Sequence, residues 1–217
     1  MSYDVFVIDD HPLFSRGLAQ LIETQANFKV TGMAKDGEEA LAFLQEQNPS
    51  LIILDLNLGQ EDGLDLIRKI LEIKPDQKIL VLSMHDERFY SERAIAAGAK
   101  GYIMKEEAES RVIDAIKTVA EGNIYLSQNE RERIASKSDE VFSSDADISK
   151  LITPLSDRQL QILTLIGKGL GTSDIAQKLD LSIKTIDSHK ENMKSKLHCA
   201  NTAELRQLAI EWFNKTR

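Results

Sequence analysis

The feature that most constrains this chain is a strict alternation through its first half. Short aliphatic or β-branched runs, at Val5 to Ile8, Phe28 to Ala34, Leu51 to Leu54, Ile79 to Leu82 and Gly101 to Ile103, are each followed by a stretch of helical periodicity, at about 12–23, 37–47, 63–73, 87–97 and 107–121. Strands separated by helices pair in parallel, and the helices then cover both faces of the sheet. Leu51-Ile52-Ile53-Leu54 is apolar at every position, as a strand buried on both faces requires. The expectation is an α/β, doubly wound (βα)5 domain of flavodoxin-like strand order over residues 1–121.

The remainder reads differently. Residues 122–150 turn polar, with Ser136-Lys137-Ser138-Asp139-Glu140 and Ser143-Ser144-Asp145 lacking any sustained apolar period, so a linker is expected, with a short helix near 129–135. From Pro154 onward the pattern is wholly helical, and residues 151–217 are expected to form an all-α four-helix domain. Starts are marked by Ser156 with Gln159 three later, Thr172, Ser182, and Asn201 with Glu204 three later, which gives helices near 157–168, 173–179, 183–197 and 202–213. The turn Asp180-Leu181-Ser182 between the middle two has the length of a helix-turn-helix.

Charge follows the same division. The chain carries a net charge of −8, but residues 1–121 hold 13 Lys+Arg against 22 Asp+Glu, residues 122–150 hold 4 against 6, and residues 151–217 hold 10 against 7. An acidic body with a modestly basic tail suits a cation-binding domain joined to a nucleic-acid module. No apolar run approaches the roughly 20 residues needed to span a bilayer, and no signal-like segment precedes the first strand, so no membrane association and a cytoplasmic location are expected. The single cysteine, Cys199, excludes an internal disulfide and a multi-cysteine zinc site.

In a parallel sheet of this order, Asp9 and Asp10 after the first strand and Asp55 after the third converge at the carboxyl edge, where such folds bind ligands. Three carboxylates there repel one another unless a hard divalent cation neutralises them, which implies Mg2+. Taken alone, Asp9-Asp10 could equally cap the helix that begins near Pro12. Ser83 at the end of the fourth strand and Lys105 after the fifth bring a hydroxyl and an ammonium to the same edge. Together they form a site in which a carboxylate can take a phosphoryl group while cations neutralise the transferring oxygens.

These residues sit in Val7-Ile8-Asp9-Asp10-His11, Leu54-Asp55-Leu56-Asn57, Ser83-Met84-His85 and Gly101-Tyr102-Ile103-Met104-Lys105, and over residues 1–121 the chain resembles the receiver domains of two-component signalling. The resemblance implies that Asp55 accepts phosphate from a sensor histidine kinase. It also implies that Asp10, Asp55 and the carbonyl of Asn57 ligate Mg2+ with Asp9 acting largely through water, that Ser83 and Lys105 hold the phosphoryl group, and that Tyr102 is the aromatic switch. One position departs from the family: Gly59 stands where proline is usual.

Residues 155–213 resemble the LuxR-type helix-turn-helix through Leu155-Ser156-Asp157-Arg158-Gln159, Ile175-Ala176-Gln177-Lys178-Leu179, Leu181-Ser182 and Thr185-Ile186-Asp187-Ser188-His189, leading to Lys196-Leu197. With the receiver this is similar to the NarL/FixJ class of response regulators. The resemblance implies a transcription regulator that binds double-stranded promoter DNA as a homodimer once phosphorylated, and whose only catalysis is its own phosphorylation and dephosphorylation. On the helix near 183–197, Ile183, Ile186, Met193 and Leu197 share one face and are expected to pack on the scaffold helix. Lys184, Ser188, Glu191, Asn192 and Ser195 project toward a major groove, with Thr185 beside them. Lys190, Lys194 and Lys196 reach for phosphates, and Asp187 lies nearer the buried side.

Two enzyme readings compete. An aspartate-based phosphatase would carry a second acid two positions after Asp55, where Asn57 stands. A Gly-rich nucleotide cradle at Gly167-Lys168-Gly169-Leu170-Gly171 would follow a strand and end in Lys-Ser/Thr, and this stretch does neither.

Overall fold

A computed structural model describes residues 2–59, 61–84, 86–137, 152 and 154–215. The chain divides into two compact units, Met1–Lys137 and Ser138–Arg217. Residues 138–150 of the polar tract expected as linker lie outside the described residues.

The first unit is built on a five-stranded parallel sheet of order 2-1-3-4-5, from β1 (Tyr3–Ile8), β2 (Phe28–Ala34), β3 (Leu51–Leu54), β4 (Ile79–Ser83) and β5 (Gly101–Met104). Helices α1 (Pro12–Glu23), α2 (Gly37–Glu46), α3 (Gly63–Ile73), α4 (Glu87–Ala96) and α5 (Ala108–Ala120) connect and follow the strands. Successive side chains of a strand point to opposite faces, so Val5, Val7, Leu51, Ile53, Leu80 and Leu82 pack on one side with Leu18 and Ile22 of α1 and Val112, Ile116 and Val119 of α5. On the other side, Phe6 stacks on Phe43 of α2 with ring centroids 4.1 Å apart. Burial of each such side chain contributes about 1.5–3 kcal/mol. The register aligns Ile8 with Leu54, Leu54 with Val81 and Ser83 with Met104, so the residues following β1, β3, β4 and β5 share one edge.

Three local features differ from the expected pattern. A 3₁₀ turn, Lys105–Glu107, precedes α5 and takes the place of its expected first residue. A two-residue antiparallel ribbon, Asn57–Leu58 with Glu61–Asp62, forms in the segment after β3. Helix α6 (Gln128–Lys137) is longer than the short helix expected and is fastened to α4. Ser91 Oγ donates to the buried Glu130 carboxylate, Arg133 reaches both Glu130 (Nε to Oε2, 2.7 Å) and Glu92 (2.7 Å), and the Ser127 N–H donates to Glu87 at 2.9 Å. The first unit therefore continues past residue 121, with Tyr125 hydrogen-bonded along the outer edge of β5.

The second unit comprises α7 (Asp157–Gly167), α8 (Thr172–Lys178), α9 (Ile183–Lys196) and α10 (Thr202–Lys215), around a core that includes Leu160, Leu163, Ile175, Ile186, Met193, Leu205, Ala209 and Trp212. Ser156 and Gln159 form a reciprocal capping box on α7, and Ser182 Oγ accepts the Thr185 N–H at 3.0 Å to start α9. A Cβ on Gly167 would lie 2.5 Å from the Ala209 carbonyl oxygen, so glycine permits the close crossing of α7 and α10. Two expectations fail here. The cap of α8 is Gly171, whose N–H donates to Asp174 at 3.2 Å; Thr172 is already inside the helix. Ile183 is 54% exposed, because the packed stripe of α9 begins one turn later at Ile186.

Candidate functional site

The strand ends deliver Asp9 and Asp55 by backbone hydrogen bonds as well as by register: the Asp9 N–H donates to the Ala34 carbonyl and the Asp55 N–H to the Ile8 carbonyl, both at 2.9 Å. Asp55 is 2% exposed, with Oδ2 2.6 Å from Lys105 Nζ and Oδ1 accepting the Asn57 N–H at 3.1 Å. The same ammonium lies 2.6 Å from Asp9 Oδ2 and 4.5 Å from the centre of the Phe14 ring. Burial pushes the Asp55 carboxyl up to about 6, against the opposing pull of Lys105. Burial works against the Lys105 charge too, but the Asp55 and Asp9 carboxylates outweigh it and hold its pKa above the ordinary lysine value. Ser83 and Tyr102 are fully buried on β4 and β5.

Asp10 closes the outer side of the pocket. Its Oδ2 accepts the Gly59 N–H at 3.1 Å, while its buried Oδ1 has no well-directed hydrogen bond, although His11 Nδ1 stands 2.7 Å away. Gly59 has φ +62°, a left-handed conformation closed to proline, which also lacks an N–H. The departure from the family pattern at this position is thus tied to a bond that orients Asp10. Ligand atoms of Asp9, Asp10, His11 and Asp55 all lie within 4.8 Å of one another, so this acidic pocket can hold a metal ion, and the poorly satisfied Asp10 oxygen fits that use. His11 joins the pocket without having been singled out from the sequence; its adjacency to the Asp9-Asp10 pair was the available signal.

On α9, Lys184, Asp187, Ser188, Glu191, Asn192 and Ser195 are exposed, including Asp187, which was expected nearer the buried side. Thr185 is half-buried against Ser182, their hydroxyls 2.7 Å apart. The three flanking lysines have intramolecular partners: Lys190 the Thr172 hydroxyl, Lys194 the Glu191 carboxylate at 2.8 Å, and Lys196 the Gln159 side-chain oxygen at 2.9 Å. His189 is half-buried, and burial with the nearby Arg158 charge lowers its pKa.

The receiver domain family of response regulators matches residues 5–117, and the luxR family of bacterial regulatory proteins matches residues 153–209. The chain is 37% identical over 214 residues to the oxygen regulatory protein NreC of Staphylococcus epidermidis, covering 95% of this chain and 96% of that one. It belongs to the NarL/FixJ class of two-component response regulators. This family comprises transcription regulators with a receiver and a LuxR-type DNA-binding domain, and metabolic enzymes are outside it. NreC of Staphylococcus aureus is 33% identical over 211 residues, again covering 95% of this chain and 96% of the relative. Among solved structures, RcsB of Salmonella enterica serovar Typhimurium, bound to a promoter in the presence of the phosphomimetic BeF3⁻, superposes with a TM-score of 0.61 at 25% identity, covering 97% of this chain and all (100%) of that one. A LuxR-family response regulator from Aurantimonas sp. gives a TM-score of 0.60 at 28% identity, covering 64% of this chain and 100% of that one. Among the described residues, no helix is long and apolar enough to cross a membrane.

Proposed function

We propose that this protein is a cytoplasmic, phosphorylation-controlled transcription regulator in which Asp55 accepts a phosphoryl group from a sensor histidine kinase. The observation that carries the reading is the Asp55 carboxylate itself, buried at the carboxyl edge of the sheet between the Lys105 ammonium and the Asn57 N–H, with Asp9 and Asp10 beside it. An Asp55 oxygen attacks the phosphorus of the kinase phosphohistidine. The P–O bond forms as the P–N bond breaks, and the departing imidazole nitrogen keeps the electron pair and takes a proton from water. Lys105 pairs with the transferred oxygens and Ser83 donates a hydrogen bond to one of them. Asp10, Asp55 and the Asn57 carbonyl would hold Mg2+, with Asp9 acting largely through water, and the ion would supply the remaining charge neutralisation. Tyr102 couples the occupied site to the surface. Phosphorylation favours a homodimer whose two helix-turn-helix modules dock on half-sites of promoter DNA about one helical turn apart. Lys184, Thr185, Asp187, Ser188, Glu191 and Asn192 face the groove, with Lys190, Lys194 and Lys196 toward phosphates; the promoter-bound RcsB structure supports this use of the domain.

The test is phosphorylation by a small phosphoryl donor with Mg2+, read by intact-protein mass and by binding to selected DNA. Wild type should gain one phosphoryl group, fail to gain it in chelator-treated reactions, and bind DNA more tightly and as a heavier species when labelled. Asp55→Asn should gain nothing; persistent labelling of that variant at another residue, or equal DNA affinity with and without phosphate, would overturn the reading.

A further inference from the structure

Asp9 Oδ1 and Asp10 Oδ1 both face a third atom that the phosphoacceptor chemistry does not use. His11 Nδ1 lies 3.2 Å from the first and 2.7 Å from the second, and the imidazole is 57% exposed on its other side. Lys105 pairs with the opposite Asp9 oxygen, Oδ2, and with Asp55 Oδ2, which leaves Asp9 Oδ1 to the His11 backbone N–H at 2.8 Å and to the ring. One ligand atom from each of Asp9, Asp10, His11 and Asp55 lies within 4.8 Å of the others. Donor atoms about 2.0–2.2 Å from a shared ion stand up to roughly 4.4 Å apart, so small side-chain adjustments bring this set within coordination range. Mg2+ strongly prefers oxygen donors and retains water, whereas an imidazole nitrogen adds affinity for divalent transition ions.

We propose that His11 ligates through Nδ1 and makes the acidic pocket a mixed nitrogen–oxygen site that takes a divalent transition ion in competition with Mg2+. The proposal rests on the reading of this pocket as a cation site and adds a ligand and an ion class to it. Ligation through Nδ1 uses the neutral tautomer that carries its hydrogen on Nε2. Because the ring is exposed, its replacement leaves the fold intact.

The test uses the full chain stripped with chelator, with Mn2+ as probe, since Mn2+ is the weakest binder of the transition series and is not held by isolated histidines or Cys199. Electron spin echo modulation of the Mn2+-loaded protein should show a directly bound ¹⁴N that disappears in His11→Ala. Calorimetric titrations should show the ratio of Mn2+ to Mg2+ affinity falling at least tenfold in that variant. Absence of nitrogen coupling in the loaded wild type, or an unchanged affinity ratio, overturns the proposal. Parallel Mg2+ binding and Asp55 labelling of wild type separate the two readings: if both succeed while nitrogen coupling is absent, only the role of His11 fails, and if no divalent ion binds, the cation site itself fails.

Discussion

The acceptor pocket and the exposed face of α9 use charge in opposite ways. In the pocket, Asp9, Asp55 and Lys105 are almost out of water, and the strand register holds them so that one ammonium serves two carboxylates. On α9, Glu191 is 69% exposed and its pairing with Lys194 is an ordinary surface contact, worth at most about 1 kcal/mol. Charge in the first region is strong because water is absent, and removing one partner strands the other. In the second it stays weak until another macromolecule displaces the water. Switching chemistry is accordingly fixed in a rigid interior, while DNA contacts remain adaptable at a surface.

The sharpest way to break this contrast is Lys105→Met, which leaves two buried carboxylates without their ammonium. Removing one partner of a buried pair costs about 3–5 kcal/mol, so in Mg2+-free buffer the first unit should lose stability on that scale. The two units carry separate fluorophores: Tyr3, Tyr90, Tyr102 and Tyr125 lie in the first, and Trp212, the one tryptophan, in the second. Urea titration should shift the tyrosine transition and leave the tryptophan transition in place. Loss of under about 1 kcal/mol would mean that the pocket is wet.

A smaller effect follows from the raised Asp55 pKa. Its folded value, about 6, lies above its ordinary 3.8. The folded state therefore holds this proton more tightly than the unfolded chain, and the associated stability is fully present below 3.8 and lost as pH rises to about 6. Asp55→Asn, which cannot ionise, should gain stability relative to wild type between pH 4 and 7.5, by about 1–3 kcal/mol without Mg2+. Saturating Mg2+ should remove most of that difference by stabilising the wild-type carboxylate. A difference that is constant with pH would place the Asp55 pKa near that of an ordinary aspartate.

What could be read from the sequence follows the same line between interior and surface. Leu51 to Leu54 announced a central strand, and Asp55 after it, with Asp9, Ser83 and Lys105 at the other strand ends, followed from topology alone, because a parallel sheet offers one edge for all of them. Ser156 with Gln159 marked a helix start for a similarly local reason. The linkage of Ser91 to Glu130 could not be read, since it joins polar residues 39 positions apart with no periodic pattern to signal the pairing. Gly59 drew notice as a departure, but its bond to Asp10, 49 residues away, depends on a backbone angle that composition does not specify. Nor could the lysine partners on α9 be foreseen, because long side chains choose among neighbours only after the helices have packed.

The smallest expected change in stability, and the most selective change in function, belongs to Glu191→Ala. Losing an exposed pair with Lys194 should alter folding by less than about 0.5 kcal/mol, seen as an unmoved Trp212 transition. The consequence on DNA should be larger. A carboxylate in the major groove repels phosphates but can accept a hydrogen bond from cytosine N4, so Glu191 should favour one base at one position by about 1–3 kcal/mol. Its removal should relax that preference while raising affinity for unrelated sequence, and it also frees Lys194 to reach a phosphate. Selection from random DNA with wild type and variant provides the measurement, with Lys184→Ala as contrast: a phosphate contact there weakens binding to every sequence alike and lowers the salt slope by about one. If Glu191→Ala keeps the wild-type preference at every position and only binds more tightly, the carboxylate reads no base and serves to restrain a basic helix.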